Sequence, residues 1–448
     1  MPLKTRSAPL SGWGRYPVAN CVLVEPDDPT DFTHGIQGAD SFAIARGNGR
    51  SYGDSSLSPE CTVGMRRLDR LLSFDHDTGM LTCEAGVLLS DVIDVFLPRG
   101  WFPPVTPGTK FVTIGGMIAS DVHGKNHHVA GSFCEHVSSV DIALGDGRVL
   151  TCSAEQNSDL FAATCGGMGL TGIILHATFR LIRVTTSRID QRIIRVANLR
   201  GAMDVFEASV TSTYSVAWLD CLASGAALGR GVVVLGEHAT IEQLPERDRT
   251  RPVGRPKRKV KRFPVDLPAF MMNRFSVATF NRIYYRSQRP GNDLVDLDPY
   301  FYPLDAVHDW NRMYGRNGFV QYQCAVPLKS CPAALSELLT EIAQRGTPSF
   351  LAVLKRLGPE SFGYLSFPME GYTLALDFPV NAQTFHLLDR LDDVVMAHGG
   401  RLYLAKDARA SRRVIENGYP RLEKFRDVRR RYGLQARFRS LQAQRLEL

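Results

Sequence analysis

No stretch of this 448-residue chain comes near the roughly 18 uninterrupted apolar residues of a spanning helix, so a transmembrane segment is not expected. The first residues, Met1-Pro2-Leu3-Lys4-Thr5-Arg6, lack the apolar core of a secretion signal. The nine cysteines are odd in number and contain no CxxC pair, which argues for reduced thiols in the cytoplasm and against a zinc site. Internal repeats and low-complexity tracts are missing too. A nicotinamide-binding fold would need GxGxxG between a strand and a helix, with an acidic residue about 20 positions on. Gly47-Asn48-Gly49 is followed by Arg50-Ser51-Tyr52, so the third glycine is misplaced, and no second βαβ half follows.

What remains is a globular composition, 44% hydrophobic and 22% charged, in a chain long enough that two domains are expected. Its strongest signal is three glycine-rich turns within or beside apolar, strand-like stretches. The first is Gly47-Asn48-Gly49-Arg50-Ser51-Tyr52-Gly53-Asp54-Ser55. The second runs from Pro107-Gly108-Thr109 through Thr113-Ile114-Gly115-Gly116 to Ser120-Asp121-Val122-His123-Gly124, and the third is Gly166-Gly167-Met168-Gly169-Leu170-Thr171-Gly172. Glycine permits φ > 0 and close approach of backbone to a ligand, so successive N–H groups can face one concavity. Three such turns, poor in acidic residues, point to a cradle for a long anionic cofactor rather than a lone phosphate.

The formal charge of +7 is unevenly spread, with Arg255, Lys257, Arg258, Lys259, Lys261 and Arg262 crowded among prolines. The segment reads equally as a solvated loop or as a docking site for anionic lipid headgroups, each basic residue there contributing about 1 kcal/mol. Phe263, Leu267, Phe270, Met271 and Met272 follow it as apolar side chains able to dip into such a surface. No nucleic-acid-binding module accompanies the charge.

Strands are expected over Ser41–Arg46, Leu81–Val87 and Ile173–Ile182, with a helix over Leu89–Leu97 and a hairpin joining Val137–Leu144 to Val149–Cys152. From about residue 185 the texture changes. Phe319–Val326 alternates, with Val320, Tyr322 and Cys324 on one face and Phe319, Gln321 and Gln323 on the other. Phe350–Lys355, Tyr372–Phe378 and Leu402-Tyr403-Leu404 are also strand-like. Two amphipathic helices, one carrying Leu335, Leu338, Leu339 and Ile342 and the other Phe385, Leu388, Leu391 and Val395, end at Gly346 and Gly399-Gly400. This is an α+β chain with an antiparallel sheet backed by helices.

At its glycine turns the chain resembles the vanillyl-alcohol-oxidase superfamily of flavoproteins. Within it, Ala45-Arg46 leading into the first turn, Asp121-Val122-His123-Gly124-Lys125-Asn126-His127-His128, Gly169-Leu170-Thr171-Gly172-Ile173-Ile174 and Arg401-Leu402-Tyr403-Leu404-Ala405-Lys406-Asp407 resemble the family of polyprenyl-phosphoryl-ribose 2′-oxidases. Trp310-Asn311-Arg312, Gln321-Tyr322-Gln323 and Leu376-Asp377-Phe378-Pro379 fit as well, so the resemblance covers nearly the whole chain in unbroken order. It implies a two-domain fold of the PCMH type. Residues 1–184 with 401–448 would hold FAD, and residues 185–400 would bind substrate under an antiparallel sheet. Many superfamily members attach FAD to a histidine of the first loop; Arg50 stands at that place, which implies dissociable FAD.

By the same resemblance, residues 45–55, Gly108, Thr113 to Gly116, Ser120 to His123, Ile174 and Tyr403 surround the cofactor. Lys406 is the foremost catalytic candidate, as proton acceptor or as electrostatic stabiliser of the developing alkoxide or reduced flavin, with Tyr52 and His123 beside it. His127 and His128 carry no metal-binding pattern with His123. Gln321 and Gln323 would meet sugar hydroxyls, Lys355 a phosphate, and Trp218 and Tyr302 would add apolar walls. Ala375 stands where the family carries a cysteine, so reagents that act by modifying that thiol should fail here; Thr373 replaces a longer amide.

The reaction so implied oxidises the 2′-hydroxyl of a polyprenyl-phosphoryl ribofuranose to a ketone. That is the first half of an epimerisation to the arabinofuranose donor of cell-envelope glycans. A nicotinamide-dependent short-chain reductase would complete it, and an anionic membrane surface would present the lipid. The competing expectations are oxidation of a soluble polyol or 2-hydroxy acid, or a flavin-bearing membrane assembly protein that does not turn over.

Overall fold

The computed structural model describes residues 5–32, 42–254, 261–268, 273–346, 349 and 351–448. The basic residues Arg255 to Lys259, the apolar Phe270, Met271 and Met272, and the expected strand ends at Ser41 and Phe350 lie outside them.

Three sheets carry the architecture. A four-stranded sheet has the order Thr5–Ser11, Val18–Val24, Cys61–Gly64, Ala43–Arg46. Its last strand ends at the first glycine turn. A five-stranded antiparallel sheet follows, ordered Leu71–Phe74, Met80–Glu84, Ile173–Arg180, Val137–Ala143, Val149–Ser153. The expected hairpin is present, its strands paired from Ser139↔Ser153 to Ala143↔Val149, with Gly147 at φ 85° in the turn. The helix Leu89–Phe96 continues as one tight turn that Gly100, at φ 79°, stops.

The third sheet has eight strands and every pairing in it is antiparallel. Its order is Gly291–Asp296, Arg188–Val196, Gly231–His238, Tyr214–Leu219, Ala352–Leu357, Gly371–Pro379, Phe319–Pro327, Arg401–Leu402. Helices Cys331–Arg345 and Ala382–Ala397 pack against its central strands and end beside Gly346 and Gly399, both left-handed. Val320, Tyr322 and Cys324 lie cross-strand from Phe378, Leu376 and Leu374, which puts these apolar side chains on the face the helices cover. The opposite face carries Gln321, Gln323, Ala375 and Asp377.

The strand expected over residues 402–404 stops at Leu402. The carbonyl of Gln323 accepts the Tyr403 N–H (2.9 Å), and the next residues curl so that the Lys406 N–H bonds back to the Tyr403 carbonyl (2.9 Å). Ladder pairing is given up for a turn, and the turn sets Lys406 over the polar face of the sheet. The chain then returns to its beginning: Ala43 N–H donates to Arg437 O (2.8 Å), Arg439 N–H to Ala43 O (3.1 Å), and Arg445 bridges Asp54 (2.9 Å) and Asp407 (2.8 Å). Among the described residues no helix is long and apolar enough to cross a membrane, and no cluster of three or more potential metal ligands exists.

Candidate active site

A cleft of about 290 Å³ separates the glycine turns from the polar face of the eight-stranded sheet. One wall is main chain. Gly47 through Tyr52, Ser55, Gly108, Thr113, Gly115, Gly116, Gly169 and Gly172 border it. The backbone amides of Asn48, Gly49, Arg50 and Ser51 have no acceptor among the described residues, whereas the next one, Tyr52, donates to Ala405 O (3.0 Å). A Cβ on Gly47 would lie 2.2 Å from Thr113 Oγ1, so the loop closes against the second glycine turn only without a side chain there. Four consecutive free donors, with Asp305 as the one carboxylate on the lining among the described residues, suit a pyrophosphate. These residues fit FAD.

The first loop offers no histidine for covalent attachment. Arg50 instead lays its guanidinium over the Trp13 ring at 4.0 Å. Trp13 meets Trp310 edge-on (5.9 Å), and Tyr52, Phe319 and Tyr314 continue the aromatic end of the cleft.

The opposite wall is side chain. Gln321 is paired with Asp377 across two strands, and its Nε2 donates to Asp377 Oδ1 at 2.5 Å. Asp377 is fully buried, and its Oδ2 has no partner among the described residues. Burial raises its carboxyl to about 7, against the opposing pull of the Gln321 hydrogen bond and Lys406. Two residues on, Gln323 lies opposite Ala375 and uses Nε2 to reach both Thr373 Oγ1 (3.1 Å) and His123 Nε2 (3.0 Å). With an amide nitrogen donating to Nε2, the His123 proton belongs on Nδ1, a buried atom with no partner among the described residues. Burial drives His123 well below its usual range, helped by Lys355, His127 and Lys406, so the ring is neutral.

Lys406 projects onto this wall with Nζ 4.0 Å from the centre of the Tyr52 ring. It keeps some surface on the cleft but sits deep in the protein, and burial pushes its ammonium down to about 7. Asp377 pulls it back up, and Lys355 adds to the fall. Burial brings Lys355 to about 8; it has no hydrogen bond or ion pair among the described residues. Tyr52, 7% exposed, is raised well above the usual phenol range by burial and then by Asp377, so its hydroxyl keeps its proton.

Several expected residues stand behind the lining rather than on it. Arg46 donates to Ser11 O (2.7 Å) and Ser56 Oγ (3.2 Å), and Asp54 pairs with Arg445. Gly53 packs against the Asp407 carbonyl, Ile114 is core, and buried Asp121 accepts from the Cys134 N–H (3.2 Å) and Ser366 Oγ. Tyr302 is buried with its hydroxyl on Thr106 Oγ1. Trp218 shares the face of its cross-strand partner Val353, a lining residue, but reaches outward to Tyr284 (4.6 Å). His127 Nδ1 accepts from Gly358 N–H (3.0 Å), and His128 bonds Ser212 O (2.9 Å); both tie the loop to the sheet. Ala45, Ser120, Val122, Ile174, Ala375 and Tyr403 border the cleft.

Two residues escaped the reading of the sequence. Asp377 is a lone carboxylate in the otherwise uncharged strand Gly371–Pro379, a signal that was visible there. Lys125, held by the Tyr300 carbonyl and ring, is lowered to about 7 by burial and by Lys355. None of the nine cysteines is disulfide-bonded and none borders the cleft.

A family model described as an FAD binding domain matches residues 23–153. The chain is 35% identical over 457 aligned residues to a decaprenylphosphoryl-β-D-ribose oxidase of Mycolicibacterium smegmatis, covering 99% of this chain and 98% of that protein. It is 36% identical over 376 residues to an uncharacterised protein in the mprA 5′ region of Streptomyces coelicolor, covering 81% of this chain and all (100%) of the other. A more distant relative, the L-gulonolactone oxidase of Mus musculus, is 30% identical over 138 residues, 30% of this chain and 31% of its own.

Proposed function

Because this chain belongs to the decaprenylphosphoryl-β-D-ribose oxidase family of FAD-dependent oxidoreductases, we propose that it oxidises the 2′-hydroxyl of a polyprenyl-phosphoryl-β-D-ribofuranose to the 2′-keto sugar. The observation that carries this reading is a wall with two glutamines, a neutral histidine and two lysines of depressed pKa, facing a main-chain cradle for FAD. When bound, FAD supplies the two-electron acceptor for the hydride on the carbinol carbon, and it is held without a covalent link.

The protein's own part is to place the sugar and take the hydroxyl proton. Lys406 Nζ accepts that proton. At neutral pH a group near 7 is unprotonated in a large share of molecules and becomes an ammonium on accepting it. Asp377, behind Gln321, stabilises the ammonium so formed. Gln321 and Gln323 have their amide nitrogens committed within the wall, which leaves each Oε1 as an acceptor for sugar hydroxyls. Tyr52 stays protonated and holds Lys406 by its ring face. Lys355 takes the phosphate, whose charge supplies the anion this buried cation lacks.

Residues 1–184 with 401–448 form the FAD-binding part, and residues 185–400 the substrate part. In support, the strands of the eight-stranded sheet begin at Arg188, and the C-terminal tail bonds back to Ala43 and Asp54. The prenyl chain of such a substrate stays in a bilayer, so the enzyme works peripherally at the inner face of the membrane. A nicotinamide-dependent short-chain reductase consumes the ketone. The test is anaerobic mixing of the FAD-loaded protein with polyprenyl-phosphoryl ribose and, separately, with soluble polyols and 2-hydroxy acids. Bleaching of the flavin by the first and not by the others is expected; bleaching by a soluble polyol alone would overturn the substrate assignment.

A further inference from the structure

The helix Arg274–Ser287 has two faces of different character. On its inner face Val277 is fully buried, Asn281 donates to Asp220 Oδ1 (2.8 Å), and Tyr284 packs on Trp218 (4.6 Å). On its outer face Phe275 is 84% and Ile283 63% exposed, among the most exposed large apolar side chains of the described residues. At 3.6 residues per turn, Phe275, Thr279, Arg282, Ile283 and Arg286 fall within an arc of about 100°. Arg282 and Arg286 are exposed and make no ion pair among the described residues. From Arg274 to Asn292 the sequence contains four arginines and no carboxylate.

We propose that this helix face docks on an anionic lipid bilayer, Phe275 and Ile283 entering the headgroup boundary while Arg282 and Arg286 meet lipid phosphates. An exposed stripe of apolar side chains interleaved with cations is what an interfacial helix presents. Its charge is complementary to anionic lipid, and the helix itself carries no carboxylate to select a basic protein partner. The position adds to the argument. Tyr284 seats the helix on Trp218, whose cross-strand partner Val353 borders the cleft, so the helix flanks the substrate wall with its docking face turned outward. Resting on the function proposed above, this places the sugar-binding face at headgroup level, where a prenyl chain can remain in the bilayer.

The experiment is flotation of the full-length, FAD-loaded protein with vesicles of phosphatidylcholine containing phosphatidylglycerol, against phosphatidylcholine alone, without substrate. Wild type is expected to float with the anionic vesicles only. The pairs Phe275→Asp with Ile283→Asp, and Arg282→Glu with Arg286→Glu, are expected to weaken binding about tenfold or more. Both should keep wild-type FAD content and wild-type flavin reduction by a short-chain, detergent-soluble phosphoryl ribose. Flotation of both variants like wild type, or no flotation of wild type while a protein protects the helix face from proteolysis, would overturn the proposal. Because binding is read without substrate, flotation with no bleaching by phosphoryl ribose would fault the substrate assignment alone. Bleaching with no flotation would fault the docking surface alone.

Discussion

On the glycine-turn side of the cleft the groups that face a ligand are backbone amides, four of them consecutive from Asn48 to Ser51. On the sheet side they are side chains, and all but Lys355 are committed to a neighbour before any substrate arrives: Gln321 to Asp377, Gln323 to His123 and Thr373, Lys406 to the Tyr52 ring. The first wall works through main chain and constrains side chains only where a Cβ would intrude, as at Gly47. The second wall is chemically individual, and one side chain changes what it does. Replacements should therefore fail differently on the two sides, by loss of colour on one and by loss of rate on the other.

The largest effect belongs to the side-chain wall. Lys406→Met should slow anaerobic flavin reduction by about 10²–10⁴-fold, the usual worth of a positioned general base, while the protein stays yellow. Stopped-flow absorbance checks the rate, and the flavin spectrum checks occupancy. The main-chain wall should break the other way. Directly behind that wall, a Cβ on Gly53 would lie 1.9 Å from the Asp407 carbonyl, which as backbone cannot easily yield, so Gly53→Ala should displace the loop, cost about 1–3 kcal/mol of stability and shed FAD. Thermal unfolding and the flavin-to-protein absorbance ratio would report it. Retained FAD with slowed reduction would blur the division drawn here.

A smaller effect sharpens the side-chain wall further. Asp377 raises the Lys406 pKa, so Asp377→Asn should move the rising limb of the rate–pH profile to lower pH while leaving the flavin bound. The smallest effect on rate is expected from Ala375→Cys. That position borders the cleft opposite Gln323, and hydride transfer needs no thiol there. Turnover should change little, yet the variant should become sensitive to cysteine-modifying reagents that leave wild type active. Mass spectrometry of the modified peptide would locate the adduct.

The difference between the walls also decides how much was legible beforehand. Glycine writes main-chain geometry directly into the sequence, so the turns around Gly47, Gly115 and Gly169 were readable as one cradle. Alternation placed Gln321 and Gln323 on a common face, and Gly346 and Gly399 marked the helix ends. Pairing across strands was not readable in the same way. That Asp377 sits opposite Gln321 depends on the register of Phe319–Pro327 against Gly371–Pro379, which no single segment encodes. The early end of the strand after Leu402 escaped for a similar reason. Leu-Tyr-Leu has strand character, and Tyr403 N–H still meets the Gln323 carbonyl in register, but the Lys406 and Asp407 N–H groups then fold back onto the Tyr403 carbonyl and turn the chain. Tyr302 and Trp218 looked like cleft walls because large aromatics serve walls and cores alike.

The most direct measurement is the pH dependence of single-turnover flavin reduction by polyprenyl-phosphoryl ribose. Burial lowers Lys406 to about 7, so its unprotonated share grows as pH rises through that value. The rate should climb about tenfold between about pH 6 and about pH 8 and then level off. A rate that falls over the same range would mean that the charged ammonium does the work, and would contradict Lys406 as the proton acceptor.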